Sequence, residues 1–181
     1  MIPHLRPLLA AAFLLFFSAL ADAAEPLKIA FVDTGNTGRS VTAEALANTL
    51  IQQRHLSIAI ISRAVDMDPF DTHPEANAAT LLKQRGIDVS QHLAAQLSAN
   101  DVRHADLLLV MTAKHKAKVL TLFPEAASKT FTLSEYASGA DSDIADAWGK
   151  PMAVYEDMFR QMDKLVPAAL EKAAAQQASK P

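Results

Sequence analysis

Cysteine is absent from all 181 residues. Without it no disulfide can brace the fold, so a hydrophobic core must hold the chain alone. No side chain can supply a thiolate nucleophile either. A basic excess is also missing. The formal net charge is −3, which gives no electrostatic ground for a nucleic-acid partner. Glycine is sparse, at five residues, and two of the five, Gly35 and Gly38, fall in one short loop. No internal repeat breaks the sequence into arrays.

What is there begins with an apolar run over residues 8–20, preceded by Arg6 and followed by Ala21-Asp22-Ala23. The run is shorter than the ~20 residues of a comfortable membrane span. Its flanks fit the positive start and small-x-small end of a secretory signal. The expectation is a cleaved signal peptide over residues 1–23, with an uncleaved anchor as the alternative. A single domain over 24–181 follows, its tail fraying from about residue 175. The protein is then periplasmic or secreted, with no stable membrane span after cleavage. Arg6 and Asp22 leave together, so the net charge is unchanged.

The remaining pattern alternates short apolar strands with longer helical stretches, which predicts a parallel sheet covered by helices on both faces. Strands are expected over residues 27–32, 57–61, 107–111 and 130–133. Helices are expected over 42–53, over 75–85 with Gly86 as its stop, and over 113–122. Ser98 followed by Asp101 marks another helix start. Residues 139–149 form a polar, aspartate-rich loop, and residues 151–177 a last helix that Pro167 kinks or restarts. Pro69 and Pro74 bracket an irregular segment.

The first strand runs into Val32-Asp33-Thr34-Gly35-Asn36-Thr37-Gly38-Arg39-Ser40, and a helix leaves it. A strand, a tight loop and a helix N-terminus make an anion cradle. Backbone N–H groups converge, the helix dipole favours negative charge, and Arg39 offers a two-pronged guanidinium. Thr34, Gly35, Asn36, Thr37, Gly38, Arg39 and Ser40 are therefore the candidate phosphate-binding residues.

This loop resembles the C-x-G-N-x-C-R-S loop of the low-molecular-weight protein tyrosine phosphatases and the related arsenate reductases. Gly35, Asn36, Arg39 and Ser40 match it. Asp33 stands at the nucleophilic cysteine, Gly38 at the second cysteine and Val41 at the proline that often follows. The likeness continues in order along the chain. Ser62-Arg63-Ala64-Val65 falls where the family has S-A-G-T. The stretch from Gly86 to Leu97 resembles G-I-D-x-S-x-H-x-A-R-Q-L with Ala95 in place of the arginine. Asp106 to Met111, with His115, is similar to the D-L-I-L-x-M strand and its helix. Ile144-Ala145-Asp146-Ala147-Trp148-Gly149 falls where I-P-D-P-[FYW]-G carries the general acid. The resemblance implies an α/β three-layer fold with a central four-stranded parallel sheet. It also implies Asp146 as the acid, and a network of Asn36, Ser40, Ser62 and His92 that holds the loop in shape. Phe70 and Trp148 become the expected pocket walls, and the partners become phosphate or an aryl phosphate ester, including phosphotyrosine on a protein.

The catalytic set Asp33, Arg39 and Asp146 then lacks its thiol. Loss of both loop cysteines is compatible with export, where thiol oxidants would attack a low-pKa thiolate. A carboxylate can act as a nucleophile, although aspartyl-phosphate enzymes screen the two negative charges with Mg²⁺. Unscreened, a carboxylate ~4 Å from a phosphate charge costs on the order of 4 kcal/mol per charge pair at an effective dielectric of ~20. Asp33 can instead serve as an internal substitute for the anion, bonded to Arg39 or to the loop amides. Two arrangements would restore ligand binding: a protonated Asp33, or a divalent cation shared by Asp33 and Asp146. The acidic groups Asp66, Asp68, Asp71 with His73, and Asp141, Asp143 with Asp146, miss the EF-hand spacing and glycine, and read as solvated loops. No metal site or cofactor is expected, with Mg²⁺ entering only with an aspartate nucleophile.

Three functions fit these residues. The first is a degenerate phosphatase that binds phosphate or phosphotyrosine-like ligands. The second is an active phosphomonoesterase using Asp33 and Asp146. The third is an interaction protein whose loop is stapled shut by Asp33 and Arg39. Arsenate reduction needs thiols the chain does not have.

Overall fold

The computed structural model describes residues 25–179, so the signal peptide expected over residues 1–23 lies outside the described residues. Four strands form one parallel sheet: β1 (Leu27–Asp33), β2 (Ile58–Ala64), β3 (Leu107–Val110) and β4 (Thr130–Thr132), in the order β2-β1-β3-β4. Helices α1 (Arg39–Arg54), α2 (Ala76–Gln84), α3 (Ala99–His104), α4 (Ala113–Leu122), α5 (Leu133–Ser138) and α6 (Met152–Ala178) cover it.

The strands are buried on both faces, and their alternation sorts side chains into two cores. Ile29, Phe31, Leu107 and Leu109 point into one, which is closed by Ala43 and Ala47 of α1 and by Met158, Met162 and Leu170 of α6. Ala30, Val32, Leu108 and Val110 point into the other, against Val102 of α3 and Val119 of α4. This is the three-layer arrangement expected of an alternating chain. Small residues on α1 let that helix lie close to the sheet, which brings its N-terminus under the end of β1. Strand order reverses between β1 and β3, and in open parallel sheets ligands bind at the carboxyl end of such a reversal.

Several boundaries differ from expectation. Pairing with β1 carries β2 through Ser62 to Ala64, where Asp33 and Ala64 are partners, so Ser62 lies inside the strand. Chain 133–138 is helical because Thr132 and Glu135 form a capping box that turns the end of β4 directly into α5. A 3₁₀ turn over Pro124–Lys129, also unexpected, precedes β4. Helix α6 runs unbroken through Pro167 and on to Ala178, with Val166 and Leu170 buried on either side of the proline. Core packing of the neighbouring residues holds the helix where the missing N–H of Pro167 would weaken it.

Candidate functional site

The carboxyl end of β1 delivers Asp33 into the loop, where the side chain is buried, with 3% exposed. Its Oδ1 accepts a hydrogen bond from the Asn36 amide at 2.6 Å, and its Oδ2 accepts one from the Ser40 amide at 2.9 Å. Ser40 is in the first turn of α1, whose N-cap, Gly38, has no side chain to offer. Asp33 thus caps its own helix from five residues upstream of the cap, and its charge sits at the positive end of the helix dipole. Of the two internal partners open to Asp33 in the sequence, the loop amides hold it and Arg39 does not. Among the described residues, the amides of Thr34, Gly35, Thr37, Gly38 and Arg39 have no acceptor.

Arg39, also buried, turns elsewhere. Its Nη2 lies 3.4 Å from Asp146 Oδ2, and Nη1 donates to the Ile144 carbonyl at 3.5 Å. That carbonyl is fixed because the Ile144 amide donates to Met111 O at the end of β3. A staple between Asp33 and Arg39 is therefore not formed.

The loop's support is a closed set of bonds around Asn36, which adopts a left-handed conformation with φ 60°. Its Nδ2 donates to Ser40 Oγ at 2.9 Å and to Ser62 Oγ at 2.8 Å, and its Oδ1 accepts from the Ala95 amide at 3.0 Å. His92 Nε2 lies 2.9 Å from Asn36 O. The sequence brought these four residues together as candidates, and the structure joins Ser40, Ser62 and His92 each to Asn36. Ala95 contributes through its backbone, so the change from arginine leaves that bond intact. Glu44 completes the set: it accepts from Ser62 Oγ and lies 4.0 Å from His92 Nδ1. Its signal in the sequence is its place one turn after Ser40 on the same face of α1.

Two further groups were not singled out as site residues. His115 is buried and joins Thr34 Oγ1 at Nε2, 2.8 Å, to Thr112 Oγ1 at Nδ1, 3.0 Å. Burial, then the Arg39 charge, lower its pKa, against the pull of Asp33, Asp146 and Asp143. Glu75, just before α2, is half-buried, and its Oε2 accepts from Tyr155 Oη. Burial raises its pKa, the Tyr155 bond opposes that rise, and the charges of Asp33 and Asp146 add to it.

These residues surround a cavity of about 290 Å³ lined by the loop, Arg39, Asp146 and Trp148, with Asp66, Asp68, Asp71 and Glu75 on the remaining sides. Trp148 is 64% exposed at its mouth. Phe70, expected as the other wall, does not line it and is 96% exposed. The Phe70 amide donates to Asp68 Oδ1, a tight Asx turn that brings Asp68 and Asp71 to the rim in place of the ring. Among the described residues no group of three or more His, Asp or Glu is arranged to hold a metal ion. Asp143, from the acidic loop, accepts instead from the Ala113 amide at the start of α4.

The chain resembles known proteins in sequence and in fold. The family model described as low molecular weight phosphotyrosine protein phosphatase matches residues 28–179. A protein-arginine-phosphatase of Geobacillus stearothermophilus is 35% identical over 152 residues, 84% of this chain and 99% of its own length. The crystal structure of a low molecular weight protein tyrosine phosphatase from T. tengcongensis superposes with a TM-score of 0.76 at 33% identity, covering 81% of this chain and 99% of that one. A structure of the arginine phosphatase YwlE, a cysteine-to-serine mutant with a phosphorylated active-site serine, has a TM-score of 0.76 at 30% identity, covering 85% and 97%.

Proposed function

The chain belongs to the low molecular weight phosphotyrosine protein phosphatase family, and on that premise we propose that it is an exported, degenerate phosphatase that binds phosphorylated ligands without thiol-type turnover. The observation that carries this reading is the pair of hydrogen bonds that the Asn36 and Ser40 amides donate to the Asp33 carboxylate. A carboxylate so held completes the loop where a nucleophile would otherwise stand. Five loop amides without an acceptor, and Arg39, belong to residues that line the cavity, the donor set that a tetrahedral oxyanion needs. The ligand class follows from the relatives: a phosphorylated tyrosine or arginine side chain, with Trp148 as an aromatic face at the mouth.

A second reading has an observation of its own. In one relative, a cysteine-to-serine mutant, the active-site serine is phosphorylated, so an oxygen there holds a phosphoryl group. Asp33 would attack phosphorus through one carboxylate oxygen, releasing the hydrogen bond it accepts from a loop N–H, while the bond from phosphorus to the leaving atom breaks and Asp146 protonates that atom. Water would then attack the phosphorus of the acyl phosphate, releasing phosphate and restoring both carboxyl groups.

The test is hydrolysis of an aryl phosphate and of phosphoarginine by the purified mature chain, with and without Mg²⁺, beside Asp33→Asn and Asp33→Cys. Expected are no turnover above background in the wild type and the Asn variant, and measurable turnover in Asp33→Cys, since the cradle is preformed. Wild-type turnover that vanishes in Asp33→Asn would make Asp33 the nucleophile and overturn the degenerate reading.

A further inference from the structure

Gly38 occupies the second cysteine position of the family loop, and its missing side chain is filled from outside. A Cβ placed on Gly38 would run into the carboxyl of Glu75, with Cδ 2.9 Å away and Oε2 3.3 Å away. Glu75 is held there from two sides. Its amide donates to Thr37 O at 2.9 Å, and its carboxyl takes the hydroxyl of the buried Tyr155 at Oε2. The nearest atom to the Gly38 position is Oε1, the oxygen Tyr155 does not use. A second carboxyl thus sits against the loop beside Asp33 and lines the same cavity. Among the described residues no cation neutralises Glu75 by direct contact, since Arg39 is turned to Asp146.

Resting on the reading of the loop as an oxyanion site, we propose that Glu75 is the proton-accepting residue of this pocket: the loop takes up a tetrahedral oxyanion together with one proton, which Glu75 holds on its carboxyl. The balance is one anion and one proton in, with no covalent change. Neutral Glu75 removes a charge from the cavity wall and turns a repelling oxygen into an O–H donor toward the ligand. Its surroundings favour that form. Burial and the carboxylates of Asp33, at the end of β1, and Asp146, in the loop before α6, raise its pKa. The Tyr155 hydroxyl on α6 and the Arg39 guanidinium on α1 pull the other way. Asp66, Asp68 and Asp71, from the segment between β2 and α2, complete the charged lining.

Binding of sulfate, which stays a dianion across the range used, separates uptake of a proton by the protein from titration of the ligand. Calorimetry from about pH 5.5 to about pH 8 should give a sulfate affinity that falls as pH rises, approaching tenfold per unit once Glu75 is ionised. Glu75→Gln should flatten the profile and bind more tightly than wild type at the alkaline end. Tyr155→Phe, which keeps the carboxyl but removes the bond that favours its ionised form, should move the decline to higher pH. By linkage, saturating sulfate should raise the titration midpoint of the Glu75 carboxyl carbon in the NMR spectrum. A profile equally steep in Glu75→Gln, or a flat one in wild type, overturns the proposal and leaves the oxyanion site standing. Absence of sulfate binding at every pH in all three proteins overturns both.

Discussion

Arg39 reaches across the cavity to Asp146, 3.4 Å away, while the side chain of Asp33, six residues before it in the chain, is held by the backbone amides of Asn36 and Ser40. The guanidinium that would clamp a phosphoryl group is therefore shared with the candidate general acid. Because Asp146 is largely exposed, the pair is weak, of the order of ~0.2–1 kcal/mol for such contacts. Asp146→Asn frees Arg39 and removes one rim charge, so sulfate affinity should rise about two- to fivefold, measured by calorimetry at low salt. An unchanged or lowered affinity would show that Asp146 does not compete with the ligand for Arg39. Were Asp33 a nucleophile, the same variant would instead lower turnover by about 10²-fold.

Asn36 carries the loop's shape in two separable ways. Its side chain makes three hydrogen bonds, and its backbone sits at φ 60°, which side chains other than Asn, Asp and Gly enter at a cost. Asn36→Ala should lose both, destabilising the fold by about 3 kcal/mol in urea unfolding. Asn36→Gly loses the bonds but not the conformation and should be less destabilising by about 1 kcal/mol. Equal losses would mean that the left-handed backbone is not strained.

His115 links stability to pH. Its folded pKa lies below the ordinary value of 6.5, chiefly through burial. The unfolded chain therefore takes up this proton first as pH falls, so stability is intact above the ordinary value and declines on acidification through it. Urea unfolding at about pH 7.5 and about pH 5.5 should show a smaller acid loss in His115→Gln than in wild type. An identical loss in both proteins would assign the acid sensitivity to other groups.

The framework was legible because its signals are local. Short apolar strands, the capping box of Ser98 and Asp101, and a strand–loop–helix cradle each declare themselves within a few residues. Helix α5 was not read from the sequence: Thr132 and Glu135 carry its capping signal, but its six residues follow β4 without a loop and merge with the strand in a pattern reading. The partners of Asp33 and Arg39 were not legible. Whether Arg39 meets Asp33 or Asp146 depends on how Ile144 is tied to the end of β3, a contact between segments far apart in sequence. Phe70 looks like a wall by composition, and only the turn at Asp68 decides that it faces water.

Glu75 was the least legible of all, because its seat is defined by an atom that Gly38 does not have. That makes the pair a case for a double-mutant cycle. Gly38 has φ −122°, so alanine meets no left-handed backbone, and the penalty of Gly38→Ala comes from expelling the Glu75 carboxyl from its bond with Tyr155. A glutamate end is flexible, so the loss in urea unfolding should be moderate, about 1–2 kcal/mol. In a Glu75→Ala background the obstruction is gone, and Gly38→Ala should cost close to nothing. Equal costs in the two backgrounds would mean that glycine is needed at position 38 for the loop itself, and that Glu75 fills the space without depending on it.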